Sequence, residues 1–249
     1  GASRMSLVAR HLARHAAAAL AGKPAPGAAD SRAAPAPTST NLEYDALLEQ
    51  LGEDFAKLSN IQSVERKIDE KRAMIARYDS WVEGALLAGT QGKAVQDEIV
   101  ANMLVWNMDI QNWTMALQLA THVLSHGLTL PERYKRTAAT VIAEEIAEAS
   151  LANVDAVDHG TLIATRTLTD EEDMPDQVRA KLMKAIGRKL IAEAAAFNPD
   201  DDNSAGGKPA LIAAALEALK RALVLDQNVG VKKDIETQER ELAKLAPPT

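Results

Sequence analysis

The segment DQVRAKLMKAIGRKLIAEAAA, residues 176–196, decides the fold class. Val178, Leu182, Ile186, Leu190 and Ile191 recur at the spacing of one helical face, and Asp176 stands where a helix N-terminus favours a carboxylate. Downstream, residues 209–225 and 229–245 read as a closing helical hairpin after an acidic, Gly-containing loop at 198–208. Ala215, Leu219, Ala222, Leu223 and Asp226 have the small/large spacing of a tetratricopeptide second helix, although no full 34-residue period is visible. Upstream, Asp155 to Leu168 gives no clear period. Pro131 to about Asn153 reads as a helix with Val141, Ile142, Ile146 and Ala149 inward, and Ile110 to His126 as another, closed by Gly127.

Further toward the N-terminus, helices are expected over 94–108, carrying Ile99, Met103, Leu104 and Trp106, and over 79–88, ended by Gly89 and Gly92. Before them, Leu47, Leu48, Leu51, Phe55 and Leu58, then Ile61, Val64, Ile68, Met74 and Ile75, form narrow apolar stripes. The second stripe is flanked by Glu65, Arg66, Lys67, Asp69, Glu70, Lys71 and Arg72. Narrow stripes of this kind pack against another helix as a hairpin or coiled coil. No segment alternates with period two and no Asn-Gly or Asp-Gly turn occurs, so the fold class is all-α, built of helical hairpins.

Composition agrees. Apolar residues make up 47% of the 249, aromatics only 3%, and Cys is absent. The core must be built from Ala, Leu, Ile, Val and Met, which favours helix. Disulfides and Cys-based zinc sites are excluded, and a reducing cytoplasm is the expected compartment. No apolar run is long enough for a membrane span. The net charge of −7 is not that of a typical nucleic-acid binder, but it is unevenly spread: within residues 1–40, Arg4, Arg10, Arg14, Lys23 and Arg32 face the single acid Asp30. The expected organisation is a basic arm and Pro-rich linker at 1–40, a charged helical oligomerisation region at 41–92, a central helical domain at 93–198 and a C-terminal hairpin at 199–249.

Ordered segments in the middle of the chain carry a family resemblance. They are Trp81-Val82-x-Gly84-x-Leu86, Gly92-Lys93-Ala94-x-Gln96-Asp97-Glu98-Ile99, Met103-Leu104-x-Trp106, Asp109-Ile110, Ala116-Leu117-x-Leu119-Ala120, Gly127-Leu128-Thr129-Leu130-Pro131 and Arg136-Thr137. Asp173-Met174-Pro175-Asp176-x-Val178-Arg179-Ala180-Lys181-Leu182 and Gly230-Val231-Lys232-Lys233-x-Ile235 follow. In order and spacing, over roughly residues 80 to 245, the sequence resembles the small terminase subunit (M protein) family of temperate, contractile-tailed phages with cohesive-end genomes. The resemblance implies a subunit that binds double-stranded viral DNA at the cohesive-end site, usually as a ring, and regulates a large subunit carrying the packaging ATPase and nuclease in the host cytoplasm. Some descriptions of the family call it an endonuclease subunit. The chain departs from the family in ending Ala246-Pro247-Pro248-Thr249, without a strongly basic tail, so no DNA contact is carried over to its C-terminus.

The residues themselves give little sign of a reaction centre. Gly89-Thr90-Gln91-Gly92-Lys93 resembles a phosphate-binding loop, but Leu87 and Ala94 occupy the positions that need Gly and Ser or Thr. Asp176, Asp200-Asp201-Asp202 and Glu65 are carboxylate candidates for a Mg²⁺-dependent nuclease, more simply read as a helix start, a solvated loop and a salt-bridged surface. His122 and His126, like His11 and His15, are one helical turn apart with no third ligand evident. Neither catalytic residues, nor metal site, nor cofactor are expected. Cationic candidates for DNA contact are Arg10, Arg14, Lys23 and Arg32 on the arm, Lys67, Lys71, Arg72 and Arg77 on a second surface, and Arg133, Lys135 and Arg136 on a third. Leu51, Phe55, Leu58, Ile61, Ile68 and Trp81 are the expected oligomer interface, the tryptophans being read as packing residues rather than base-stacking platforms.

Overall fold

A computed structural model describes residues 39–200 and 206–245. The N-terminal arm and linker, with Arg10, Arg14, Lys23 and Arg32, and the carboxylates Asp201 and Asp202 lie outside the described residues. The described chain is all helical: α1 Ser39–Ser59, α2 Val64–Met74, a 3-10 turn Ile75–Tyr78, α3 Asp79–Thr90, α4 Glu98–Asp109, α5 Trp113–Ser125, α6 Ala138–Ala152, α7 His159–Thr169, α8 Asp176–Ala196, α9 Gly207–Leu225 and α10 Lys232–Leu245. No described helix is long and apolar enough to cross a membrane. The helices group into two compact units, one holding residues 39–112 together with 125–135, the other holding 113–124, 136–200 and 206–245.

The first unit is built around α4. Every residue from Ile99 to Met108 is buried, so this helix has no outward face and the surrounding helices must wrap it. Asp97 starts it: Oδ1 accepts from the backbone N–H groups of Ile99 and Val100 at 2.8 and 3.1 Å, which satisfies donors a helix start otherwise leaves open. Its Oδ2 accepts from the Trp81 indole at 2.7 Å and so ties α3 to the same cap. Trp106 makes edge-to-face pairs with Phe55 and Tyr78 at centroid separations of 5.8 and 6.0 Å. The first apolar stripe behaves as a buried face: Leu51 and Leu58 of α1 turn into the core, and α1 ends where Ser59 and Asn60 bond back to the Ala56 carbonyl. Ser63 then caps α2.

The second unit is dominated by α8, which packs on α6 and α9, while α10 closes on α9. Its apolar face is buried as the sequence pattern predicts: Val178, Leu182, Ile186 and Leu190 are buried, with Ile191 at the edge of a cluster of Ala194, Ile212, Leu216, Leu219, Val231 and Ile235. Close approach of α8 and α9 depends on Gly187. A Cβ there would stand 2.6 Å from Leu219 Cγ and Cδ2 and 3.3 Å from the Ala215 carbonyl oxygen.

Several helix assignments differ from the expectation. Pro131 does not open a helix; residues 131–137 form an irregular link, and Thr137 caps α6 by accepting from the Thr140 N–H. α4 begins at Glu98 rather than 94, because Asp97 is its cap. The unclear stretch 155–168 contains α7, capped by Asp158, whose carboxyl the Thr161 hydroxyl and N–H hold below the ordinary carboxylate range.

Candidate nucleic-acid interface

The expected second cationic surface lies on α2 and the 3-10 turn, and its members have different surroundings. Lys67 is half-buried, and burial followed by the neighbouring Lys71 ammonium pulls its pKa below the usual lysine value. Arg72 is exposed, with only the local Asp69 partner at 3.0 Å, an i,i+3 pair of small energetic weight. Arg77 reaches down from the surface to Asp54 at 2.6 Å. Lys71 differs from the other three: its charge sits inside the fold, ion-paired with Asp109 and 5.9 Å from the centre of the Trp106 ring. Both side chains of that pair are 9% exposed, so Lys71 meets a buried carboxylate rather than solvent. A charged sequence window reads as surface, and only the three-dimensional placement of Asp109 draws this lysine in.

The third set is divided as well. The Arg133 guanidinium lies over the Phe55 and Tyr134 rings at 4.8 and 5.0 Å and bonds the buried Asn102 side chain. Its planar face is therefore engaged in packing. Lys135 is exposed and has no ion-pair partner among the described residues. Arg136, in the second unit, pairs with Glu144.

Of the expected interface residues, Leu51 and Leu58 lie in the core of the first unit rather than on an outer face. Phe55 is covered by Arg133, and Ile61 and Ile68 are half-buried. Trp81 stacks on Tyr44 at 5.2 Å between centroids, and the Tyr44 hydroxyl accepts from the Glu98 N–H at 3.0 Å. Trp106 is a core residue, and Trp113 donates to the Ala156 carbonyl at 2.6 Å. All three tryptophans are thus in packing roles.

The loop after α3 is a helix stop. The N–H of Gly92 bonds the Gly89 carbonyl at 3.0 Å and that of Lys93 bonds the Ala88 carbonyl at 2.9 Å, while Gly92 takes φ +70°. Those N–H groups are committed to helix carbonyls rather than turned toward a phosphate. Among the described residues, no three His, Asp or Glu side chains are grouped closely enough to hold a metal ion. His122 is buried, and the His126 ring lies 3.2 Å from the Gly89 carbonyl. Sequence reasoning missed the buried polar residues Asp54 and Asn102, which anchor Arg77 and Arg133. Neither residue sits in a recognisable motif, so contact partners alone reveal them.

A family described as phage small terminase subunit matches residues 48–177. The "Terminase, endonuclease subunit" of Escherichia phage P2 is 36% identical over 216 residues, covering 86% of this chain and 80% of that protein. No solved structure gives a significant match. The chain belongs to the phage small terminase subunit family.

Proposed function

We propose that this chain is the DNA-positioning subunit of a phage terminase. It assembles with copies of itself, as a ring, binds double-stranded viral DNA at the cohesive-end site, and recruits and regulates a large ATPase-nuclease subunit in the host cytoplasm. The observation that carries the reading is the family match over 48–177 together with the 36% identity to the P2 terminase subunit.

The mechanism needs no reaction centre. Exposed cations such as Arg72 and Lys135, with the basic arm, neutralise backbone phosphates and release counterions. Each patch is weak alone. Repeated once per subunit on a closed assembly, the same patches act together through high effective concentration. Ile61 and Ile68, half-buried along the α1–α2 hairpin, and the Trp81 edge are the residues offered to neighbouring copies. Regulation of a partner requires only that the chain bind two states of that partner unequally.

The test is a titration of duplex carrying a cohesive-end site, at several salt concentrations, with the full chain and with a chain starting at Asn41. The reading expects binding that weakens steeply with salt and weakens further without the arm. Indifference of the full chain to the duplex at low salt contradicts it.

A second reading rests on the name of the P2 relative, an endonuclease subunit. On that reading the chain itself takes part in cutting. Cleavage of cohesive-end duplex by the purified chain with Mg²⁺ and no partner supports it; cleavage that needs the large subunit supports the positioning role.

A further inference from the structure

We propose that the turn between α9 and α10, with the α8 face beneath it, is a second phosphate-backbone contact surface for duplex DNA. It belongs to the second unit and uses cations other than those of the arm and the first unit, and it rests on the DNA-binding reading above.

Two cations of α8 and two at the start of α10 border this turn. On α8, Lys184 and Arg188 are one turn apart on the same face. The Lys184 ammonium donates to the Val229 carbonyl at 2.7 Å and would lie 3.7 Å from a Cβ on Gly230, which places it directly under the turn. Arg188 Nε donates to Asp234 at 3.0 Å, bringing its guanidinium to the first turn of α10. Lys232 and Lys233 stand at the start of that helix, both exposed and both without an ion-pair partner among the described residues. Of the acids nearby, Asp234 is paired with Arg188 and Asp226 accepts from the Asn228 N–H, while Glu236 lies one turn on from Lys232 and Lys233. Lys181, the next cation along α8, is held by Glu144 and Glu148 at 3.2 and 2.6 Å.

Local structure gives Lys232 and Lys233 no role in folding. A helix start carries partial positive charge, so two ammonium groups in the first turn repel it and each other. Neither fills the apolar cluster, which Val231 and Ile235 supply from the same segment. On α8, burial first and then the Arg188 charge lower the Lys184 pKa below the usual lysine value. Two exposed lysines beside the turn that Lys184 and Arg188 underlie fit a polyanion running across it. A duplex backbone offers evenly spaced phosphates, and mobile lysines meet it without specific geometry.

The experiment measures the affinity of the full chain for cohesive-end duplex against salt, for the parent, for K232A/K233A and for K232R/K233R. The expected result for the alanine pair is a salt slope shallower by about two and an affinity lower by about tenfold or more at low salt, with the arginine pair close to the parent. An unchanged thermal melt shows that the fold is intact; both positions are exposed, and Ala suits a helix start. A parent that binds with an alanine pair that matches it overturns this surface and leaves the DNA-binding reading standing. A parent that does not bind overturns both. If the alanine pair binds duplex normally but no longer associates with the large subunit, the surface belongs to a protein partner and the proposal fails.

Discussion

The Tyr78 hydroxyl donates to Asp54 Oδ2 at 2.8 Å, joining the 3-10 turn to α1 where both residues are shut away from solvent. Asp54 also accepts from Arg77 at 2.6 Å and from Gln50 at 3.3 Å. One carboxylate thus gathers three donors and fixes how α1 lies against the chain that leads into α3. Asp54→Ala leaves the phenol buried without an acceptor. It is expected to lower stability by about 2–3 kcal/mol in denaturant unfolding, and Tyr78→Phe by about 1 kcal/mol.

The same contact predicts an alkaline weakness. Burial first, then the hydrogen bond and charge of Asp54, hold the Tyr78 ionisation well above the ordinary tyrosine value. The unfolded chain releases that proton near pH 10, and the folded chain keeps it. The stabilisation is therefore complete below about pH 10 and is lost as pH rises past it. Thermal melts across this range are expected to fall less steeply for Tyr78→Phe than for the parent.

Lys71 and Asp109 are expected to act on stability and not on DNA. Lys71→Met strands a buried carboxylate and is expected to cost about 3 kcal/mol or more, while the K71M/D109L pair recovers much of the loss. The salt slope of duplex binding should not change in either variant. A slope reduced by about one in a folded Lys71 variant would return this residue to the DNA surface.

Arg133 and Lys135 separate in the same way. Arg133→Ala removes the cation over Phe55 and Tyr134 and the partner of Asn102, and is expected to destabilise by about 1–3 kcal/mol. Lys135→Ala is expected to leave the melt alone and reduce the salt slope by about one.

Gly187→Ala probes the α8–α9 crossing. The added methyl meets Leu219 and the backbone at Ala215, so the helices must part, at an expected cost of about 1–3 kcal/mol. The G187A/L219A pair is expected to cost less than the sum of its members, since removing the Leu219 side chain makes room for the methyl and the methyl partly fills the space left.

Much of the fold was legible because its helices carry aliphatic stripes. The α8 face from Val178 to Leu190 and the α9–α10 hairpin follow directly from apolar spacing. α7 was not legible, because its inward face is a ladder of threonines. Thr165 and Thr169 are buried and bond the carbonyls of Thr161 and Thr165 at 2.8 and 2.9 Å, so polar residues fill core positions without an aliphatic period. The start of α6 was misplaced because Pro131 suits a first helical turn, whereas the cap is Thr137, six residues on.

The candidate interface was legible only as a list of cations. Sequence spacing identifies Lys67, Lys71, Arg72 and Arg77 as neighbours but does not show that Asp109 draws Lys71 inward or that Asp54 anchors Arg77. Those acids come from other helices, 38 and 23 residues away along the chain. Burial of charge depends on a distant partner, which local periodicity does not encode.

The account turns on copies of this helical unit acting together on duplex DNA. Native mass measurement of the full chain, alone and with a cohesive-end duplex, tests it most directly. The expected result is one high-order species that takes up the duplex intact. Monomers at every concentration, with or without DNA, contradict it.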